Sequence, residues 1–396
     1  MRSPTGNFLI AQGGGPTAVI NASVAGAVLE AFDRLDASSQ VWWAKGGITG
    51  LLNETFIDLR AQPAGIWEEV RVAPGAALGS CRKKLTEEDV ARAVELCRKH
   101  DIRYFFYVGG NDSMDTANML SKAAQASGYE MLVAGVPKTI DNDLAETDFC
   151  PGYGSAARFY AQAMIDLGMD IRSLPTPICL MEVMGRNAGW LTAATMLARR
   201  APDDAPHLIY VPEVRLSREK FLADVKEVYD RQGWVVIAIS EGMCDEKGES
   251  LSLPTGKVAA DGFGHRMVGD VAPALARLIM GELGLRARNE KPGLIARASS
   301  HHVSPVDREV AEGVGRFAAQ RVFAGETDFM AAIRRESDPP FRVSYFPVPL
   351  EKVANAERLL PAEYVADGGN DIAESFREYA EPLVGGELRR YARLRW

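Results

Sequence analysis

The stretch Ile102–Asp143 reads IRYFFYVGGNDSMDTANMLSKAAQASGYEMLVAGVPKTIDND, and its first seven residues decide how the rest is read. IRYFFYV is an apolar, aromatic run too short for a helix, so it predicts a buried strand, and two glycines end it. SMDTANMLSKAAQAS then carries apolar residues at helical spacing. MLVAGV predicts a second buried strand, which runs out into the polar PKTIDND. Strand, glycine turn, helix and strand again is the repeating unit of a parallel sheet.

Outward from this stretch the pattern recurs. NFLIAQGGG (7–15) is a strand running into glycines, followed by the helical PTAVINASVAGAVLEAFDRL (16–35). EEDVARAVELCRKHD (87–101) is an amphipathic helix with acidic residues first and basic ones last, matching the helix dipole. PICLMEVMGR (177–186), HLIYVPEV (207–214) and WVVIAISEGM (234–243) predict further strands. NAGWLTAATMLARR (187–200) and REKFLADVKEVYDRQ (218–232) predict helices. The fold class is therefore α/β with doubly wound (Rossmann-like) parallel sheets. In such sheets ligands bind beyond the carboxyl ends of strands, where GGG, GGNDS, PKTIDND, MGR and SEG all lie. After about Arg342 the chain turns proline- and charge-rich and reads as an appended C-terminal extension with no assigned role.

The 396 residues suggest two to three domains. A net charge of −8 argues against a nucleic-acid partner, since phosphate backbones select basic faces. Five scattered cysteines without a CxxC pair point to a reducing compartment, with neither a disulfide framework nor a zinc site. The opening lacks a signal peptide's features, and no run of 18 apolar residues predicts a membrane span. The expected location is cytoplasmic.

The strand-end motifs carry the chemistry. Gly13, Gly14 and Gly15 allow close backbone approach to an anion at a helix start, although a plain tight turn explains them equally well. Gly109 and Gly110 open a second such turn. Asn111, Asp112 and Ser113 then sit where a helix cap belongs, and capping accounts for one of the three. Asn111 and Asp112 also suit a hard cation such as Mg²⁺. In PKTIDND, Lys138 and Asp141 converge at a strand end, which favours chemistry over packing; Asp143 reads equally as a helix cap. Arg186 and Glu241 stand at two further strand ends. LGSCRKK (78–84) groups Arg82, Lys83 and Lys84, at least one of them belonging to a solvated face. LRARNEKPGLIARASSHH (285–302) offers Arg288 and Arg297, while His301 and His302 lack a partner at metal spacing.

Taken in order, GGG, LGSCR, GGNDS, PKTIDND, MEVMGRNAG and SEG resemble the phosphofructokinase family over roughly residues 5 to 325. The resemblance implies two α/β sheet domains with the active site between them, and phosphoryl transfer to the 1-hydroxyl of fructose 6-phosphate. Domain limits of 1–145 with about 255–340 for the donor, 146–254 for the sugar phosphate and about 341–396 for the extension follow from it. The ATP-using branch carries glycine where Asp112 and Lys138 stand. An acidic residue and a lysine there resemble the pyrophosphate-using branch, because a carboxylate at 112 excludes the longer nucleotide and Lys138 serves the diphosphate.

By the same resemblance, Asp141 is the base, Lys138 and Arg82 stabilise the transferring group, and Mg²⁺ bridges the pyrophosphate. Thr139, Asp143, Met184, Gly185, Arg186 and Glu241 match sugar-contacting positions. Arg288 and Arg297 match the arginines that hold the 6-phosphate, one from a neighbouring subunit, which implies a homodimer or homotetramer. Gly13, Gly14, Gly15, Gly110 and Ser113 match the donor loop. Three departures stand out: Asn111 replaces an aspartate near the metal, Pro177 replaces a sugar-phosphate arginine, and Leu294 replaces a histidine. The competing readings are ATP as donor, sedoheptulose 7-phosphate as acceptor, a nicotinamide dehydrogenase and a non-catalytic sugar-phosphate sensor. The dehydrogenase lacks a clean GxGxxG and leaves PKTIDND idle; the sensor leaves Asp141 unexplained.

Overall fold

The computed structural model describes residues 5–252 and 270–393. These residues form two compact units. The first comprises 5–153 and 305–358; the second comprises 154–252, 270–304 and 359–393. The expected division differs from this one: residues 146–153 and 341–358 group with the first unit, and 270–304 and 359–393 with the second. The expected boundary near 254 lies outside the described residues.

The first unit is built on a seven-stranded sheet. Its strands are β1 (Asn7–Gln12), β2 (Val41–Ala44), β3 (Phe56–Asp58), β4 (Ile102–Gly109), β5 (Leu132–Pro137), then, following β6–β9 of the second unit, β10 (Phe329–Ser337) and β11 (Arg342–Pro349), in the spatial order β11-β10-β5-β4-β1-β2-β3. The interior pairings are parallel, as the sequence pattern requires, but β2–β3 and β10–β11 are antiparallel. Parallel sheets throughout were expected, so the two edges are a correction. So is the extension: its first part is edge strand β11, and its Pro347 and Pro349 are tolerated because an outer strand leaves backbone groups without ladder partners.

Alternation along β4 divides the core. Phe105 and Tyr107 point to the face covered by helices Glu87–Lys99 and Asn111–Ala126, through Leu96, Met114, Ala117 and Leu120. On the other face Phe106 stacks on Phe8, with ring centroids 4.8 Å apart, and Tyr104 meets Phe323 of helix Pro305–Phe323. Each fully buried ring contributes roughly 1.5–3 kcal/mol relative to exposure. Helices Ile20–Arg34 and Pro305–Phe323 lie close because Gly26 faces the Glu312 carbonyl and Gly315 faces that of Ser23, leaving no room for a Cβ.

The second unit has a four-stranded parallel sheet of β6 (Ile178–Val183), β7 (Leu208–Tyr210), β8 (Val235–Ser240) and β9 (Ala287–Glu290), ordered β7-β8-β6-β9. Ile178, Leu180, Val235, Ile237 and Ile239 pack against Phe221, Val225 and Val228 of helix Arg218–Gln232. The helix expected over 187–200 is shorter, running as Trp190–Ala194 with a 3₁₀ turn to Ala198. No helix among the described residues is long and apolar enough to cross a membrane.

Candidate active site

In the first unit three strand ends adjoin. Gln12 of β1 pairs with Val108 of β4, and Gly109 of β4 pairs with Pro137 of β5, so the following loops leave one edge of the sheet together. Backbone bonds join them: Lys138 N donates to Gly109 O at 3.0 Å, and Gly14 N to Cys81 O at 3.0 Å. The latter sets Arg82, an exposed residue, directly after a residue bonded to the glycine loop. Lys138 is only 2% exposed, and its Nζ donates to Gly15 O at 2.6 Å. The side chain therefore ties the end of β5 to the Gly13–Gly15 turn. Neighbouring Lys83 pairs with Asp89 at 2.8 Å, in the capping box of helix Glu87–Lys99, and so serves that helix.

The glycines separate into two kinds. A Cβ on Gly13 or Gly109 would overlap Ser113 Oγ, so side chains packed behind the turn demand those two glycines. Gly14 has φ +72° and its Cβ position is 3.3 Å from Lys138 Nζ. At Gly110 the nearest atoms are 3.7 Å away, so no protein atom demands a glycine there. Gly110 is itself the N-cap residue of helix Asn111–Ala126, without a side-chain cap bond. The capping explanation for Asn111, Asp112 or Ser113 therefore fails, and Asp112 lies in the first turn, where the helix dipole favours a carboxylate.

The Thr139–Asp143 turn is tightly organised. Asp141 N donates to Thr139 Oγ1 at 3.0 Å. Asn142 takes the left-handed conformation, φ +58°, and its Oδ1 accepts from Cys150 N at 2.9 Å. No helix follows until Tyr153, so Asp143 is not a helix cap. Asp143 Oδ2 accepts from Asn111 Nδ2 at 3.1 Å. Asp143 Oδ1 and Asn111 Oδ1 are both buried without a hydrogen-bond partner. Burial first, and then the charge of Glu357, raise the Asp143 pKa, against the Thr139 hydroxyl and Lys138, which lower it. Two orphaned oxygens from a carboxylate and an amide are the donor chemistry of a hard divalent cation, so these residues fit one.

The second unit brings a different set together. Val183 and Ser240 end β6 and β8 as register partners. Beyond them Glu241 N donates to Val183 O, Ser240 Oγ to Gly185 O at 2.5 Å, and Gly185 N to Glu241 Oε1 at 3.4 Å. Met184 N donates to Tyr160 Oη at 3.1 Å. Arg186 Nε is buried without a partner, and its carbonyl abuts Gly242 so closely that a Cβ there would overlap it. Burial chiefly raises the Glu241 pKa. Arg288 is not part of this cluster. It is exposed in edge strand β9 beside Cys179, four residues before Val183, about 13 Å back along the strand at ~3.3 Å per residue. Arg297 lies in the short helix Leu294–Ala298, half-buried. His302 is satisfied by Ser299 at 2.8 Å and by an edge contact with Phe159.

Residues 7–322 match the family model for phosphofructokinase. The chain belongs to the phosphofructokinase family. It is 43% identical over 390 residues to a Xanthomonas campestris protein named pyrophosphate–fructose 6-phosphate 1-phosphotransferase, covering 96% of this chain and 92% of the relative. It is 30% identical to a sulfofructose kinase from Alkalicoccus urumqiensis, covering 95% of this chain and 94% of that one. Among solved structures, the pyrophosphate-dependent phosphofructokinase of Marinobacter aquaeolei superposes with a TM-score of 0.87 at 37% identity, over 98% of this chain and 93% of the other.

Two residues that support these turns escaped the sequence reading. Glu182, in the middle of an apolar strand, accepts from Asp270 N at 3.1 Å and Ala272 N at 3.0 Å and pairs with Lys291 at 2.9 Å, capping helix Val271–Leu283. A lone acid inside PICLMEV was the available signal, since a buried carboxylate demands partners. Asn142 is the other: an Asn between two aspartates is a residue that tolerates a positive φ.

Proposed function

We propose that this chain carries out reversible, Mg²⁺-dependent phosphoryl transfer from pyrophosphate to the 1-hydroxyl of fructose 6-phosphate, giving fructose 1,6-bisphosphate and phosphate, a step in glycolysis and gluconeogenesis. The observation that carries the donor assignment is the pair Asp112 and Lys138, one in the first turn after β4 and the other at the end of adjacent β5. A carboxylate at 112 repels and obstructs the α-phosphate of a nucleotide, while a bare diphosphate does not extend that far.

Asp141 takes the proton of the 1-hydroxyl as that oxygen attacks the nearer phosphorus; the new O–P bond forms, the bridging P–O bond breaks, and phosphate leaves. Lys138 and Arg82 stabilise the spreading charge, with Gly13, Gly14, Gly15, Gly110 and Ser113 forming the donor turn. Asn111 and Asp112 were expected at the metal, and the orphaned oxygens favour Asn111 with Asp143 as its holders. The ion, when bound, neutralises pyrophosphate charge. Thr139, Met184, Gly185, Arg186 and Glu241 contact the sugar, and Arg297 its 6-phosphate. Exposed Arg288 serves a neighbouring copy in a homodimer or homotetramer. The first unit thus takes the donor and the second the sugar phosphate, in a cytoplasmic enzyme.

The test is a coupled assay of fructose 6-phosphate and Mg²⁺ with pyrophosphate or ATP. Pyrophosphate is expected to support turnover and ATP not to. ATP turnover without pyrophosphate turnover would overturn the donor assignment.

A further inference from the structure

The segment after residue 322 lies outside the family match, yet it holds the Thr139–Asp148 turn from two sides. On one side, β10 engages its far end. Ile333 N donates to Thr147 Oγ1 at 3.0 Å, Asp148 N to Ile333 O at 3.0 Å, and Arg335 N to Asp148 Oδ2 at 2.7 Å. On the other stands Arg358. Its guanidinium donates to Asn142 O from Nε (3.2 Å) and Nη2 (2.9 Å), and from Nη1 to Thr147 O (2.9 Å) and Asp148 O (2.6 Å). Its own main-chain N–H donates to Asp143 O at 2.7 Å, next to a bridge between Leu144 and Glu357.

These bonds fall on both peptide planes that flank Asp143. The carbonyl before it, Asn142 O, takes two guanidinium donors, and the carbonyl after it takes the backbone N–H of the same residue. Between Asp141 and Asp143 the chain turns through the left-handed Asn142, a conformation that a non-glycine residue seldom adopts and that persists only where the surroundings hold it. A planar fork can fix that peptide and simultaneously clamp the carbonyls of residues 147 and 148, closing the turn. An ammonium, as a point donor, cannot span both.

We propose that Arg358 is a positioning residue for this reaction: it sets the backbone that aims Asp141 and Asp143, although it touches no reacting atom. The proposal rests on the functional reading of Asp141 given above. Misplacement of a reacting group by about 1 Å costs on the order of a hundredfold in rate, so a loosened turn is felt in kcat before it is felt in binding.

The experiment compares Arg358→Lys and Arg358→Ala with wild type, using whichever phosphoryl donor the wild type turns over, so that a failure of the pyrophosphate reading leaves this test standing. In Arg358→Lys, kcat is expected to fall roughly ten- to hundredfold while KM for fructose 6-phosphate and the melting temperature stay near wild type. Added guanidinium ion is expected to restore part of the kcat of Arg358→Ala, a rescue that general destabilisation would not show. Loss of kcat only in step with loss of folded protein, with no guanidinium rescue in either variant, would overturn the proposal. So would wild-type kcat in Arg358→Lys.

Discussion

At the ends of β4 and β5, side chains hold one loop to the next: Lys138 to Gly15, Asn111 to Asp143 and Arg358 to Asn142. At the ends of β6 and β8, mainly backbone groups and one short hydroxyl close the turn, through Glu241 N, Gly185 O and Ser240 Oγ. The first arrangement leaves carboxylate and amide oxygens orphaned; the second leaves only the Arg186 Nε nitrogen so, beside the half-buried Glu241, and in both a carboxyl pKa is raised. A set of charged groups strung between loops suits a multiply charged donor and its cation. A turn closed on its own backbone has a fixed contour, which suits a neutral ring better than a multiply charged group.

The largest expected effect breaks the first region. Asp141→Asn should lower kcat by roughly 10²–10⁴-fold with KM for fructose 6-phosphate little changed, read by steady-state kinetics; near-normal turnover would remove it as the base. Lys138→Gly comes next. It removes a charge-assisted bond worth about 1.5–3 kcal/mol and a tether of the glycine turn, so pyrophosphate use should fall on the order of tenfold to hundredfold, with far less change in the acceptor's KM.

A glycine pair sharpens the same region. Gly109→Ala collides with Ser113 and should lower stability by about 1–3 kcal/mol in denaturant unfolding. Gly110→Ala meets no atom nearer than 3.7 Å and should cost less, no more than about 1 kcal/mol for a poorer helix N-cap, while raising KM for pyrophosphate. Equal destabilisation by the two would erase the distinction.

The smallest effect concerns pH. Because the folded pKa of Asp143 is raised, the wild type gains stability from this group as pH falls and loses it as pH rises through the folded value, when the buried carboxyl must ionise. Asp143→Asn should therefore melt higher than wild type at neutral pH, with the gap closing toward the ordinary carboxylate range, even as activity is lost. A pH-independent gap would contradict the burial argument.

Much of this was legible in the sequence because strand runs and helical periods are local. β4, β5, β8 and helix Arg218–Gln232 fall where IRYFFYV, MLVAGV, WVVIAIS and REKFLADVKEVYDRQ place them. The turns at their ends followed, since parallel strands put their loops on one edge. Arg358 did not, because it bonds Asn142 across 216 residues and no local pattern encodes such a contact. The proline-rich stretch that reads as a tail is β11, a case where an edge strand accepts residues that a central strand refuses. The glycines were legible as turns, but which of them face Ser113 and which face open space depends on packing from helix Asn111–Ala126.

Donor choice at Asp112 is tested most directly by the ratio of kcat/KM for pyrophosphate to that for ATP, measured in wild type and in Asp112→Gly. The account predicts a ratio heavily in favour of pyrophosphate in wild type and a marked fall in the variant, as ATP gains entry. An unchanged ratio in Asp112→Gly would contradict it.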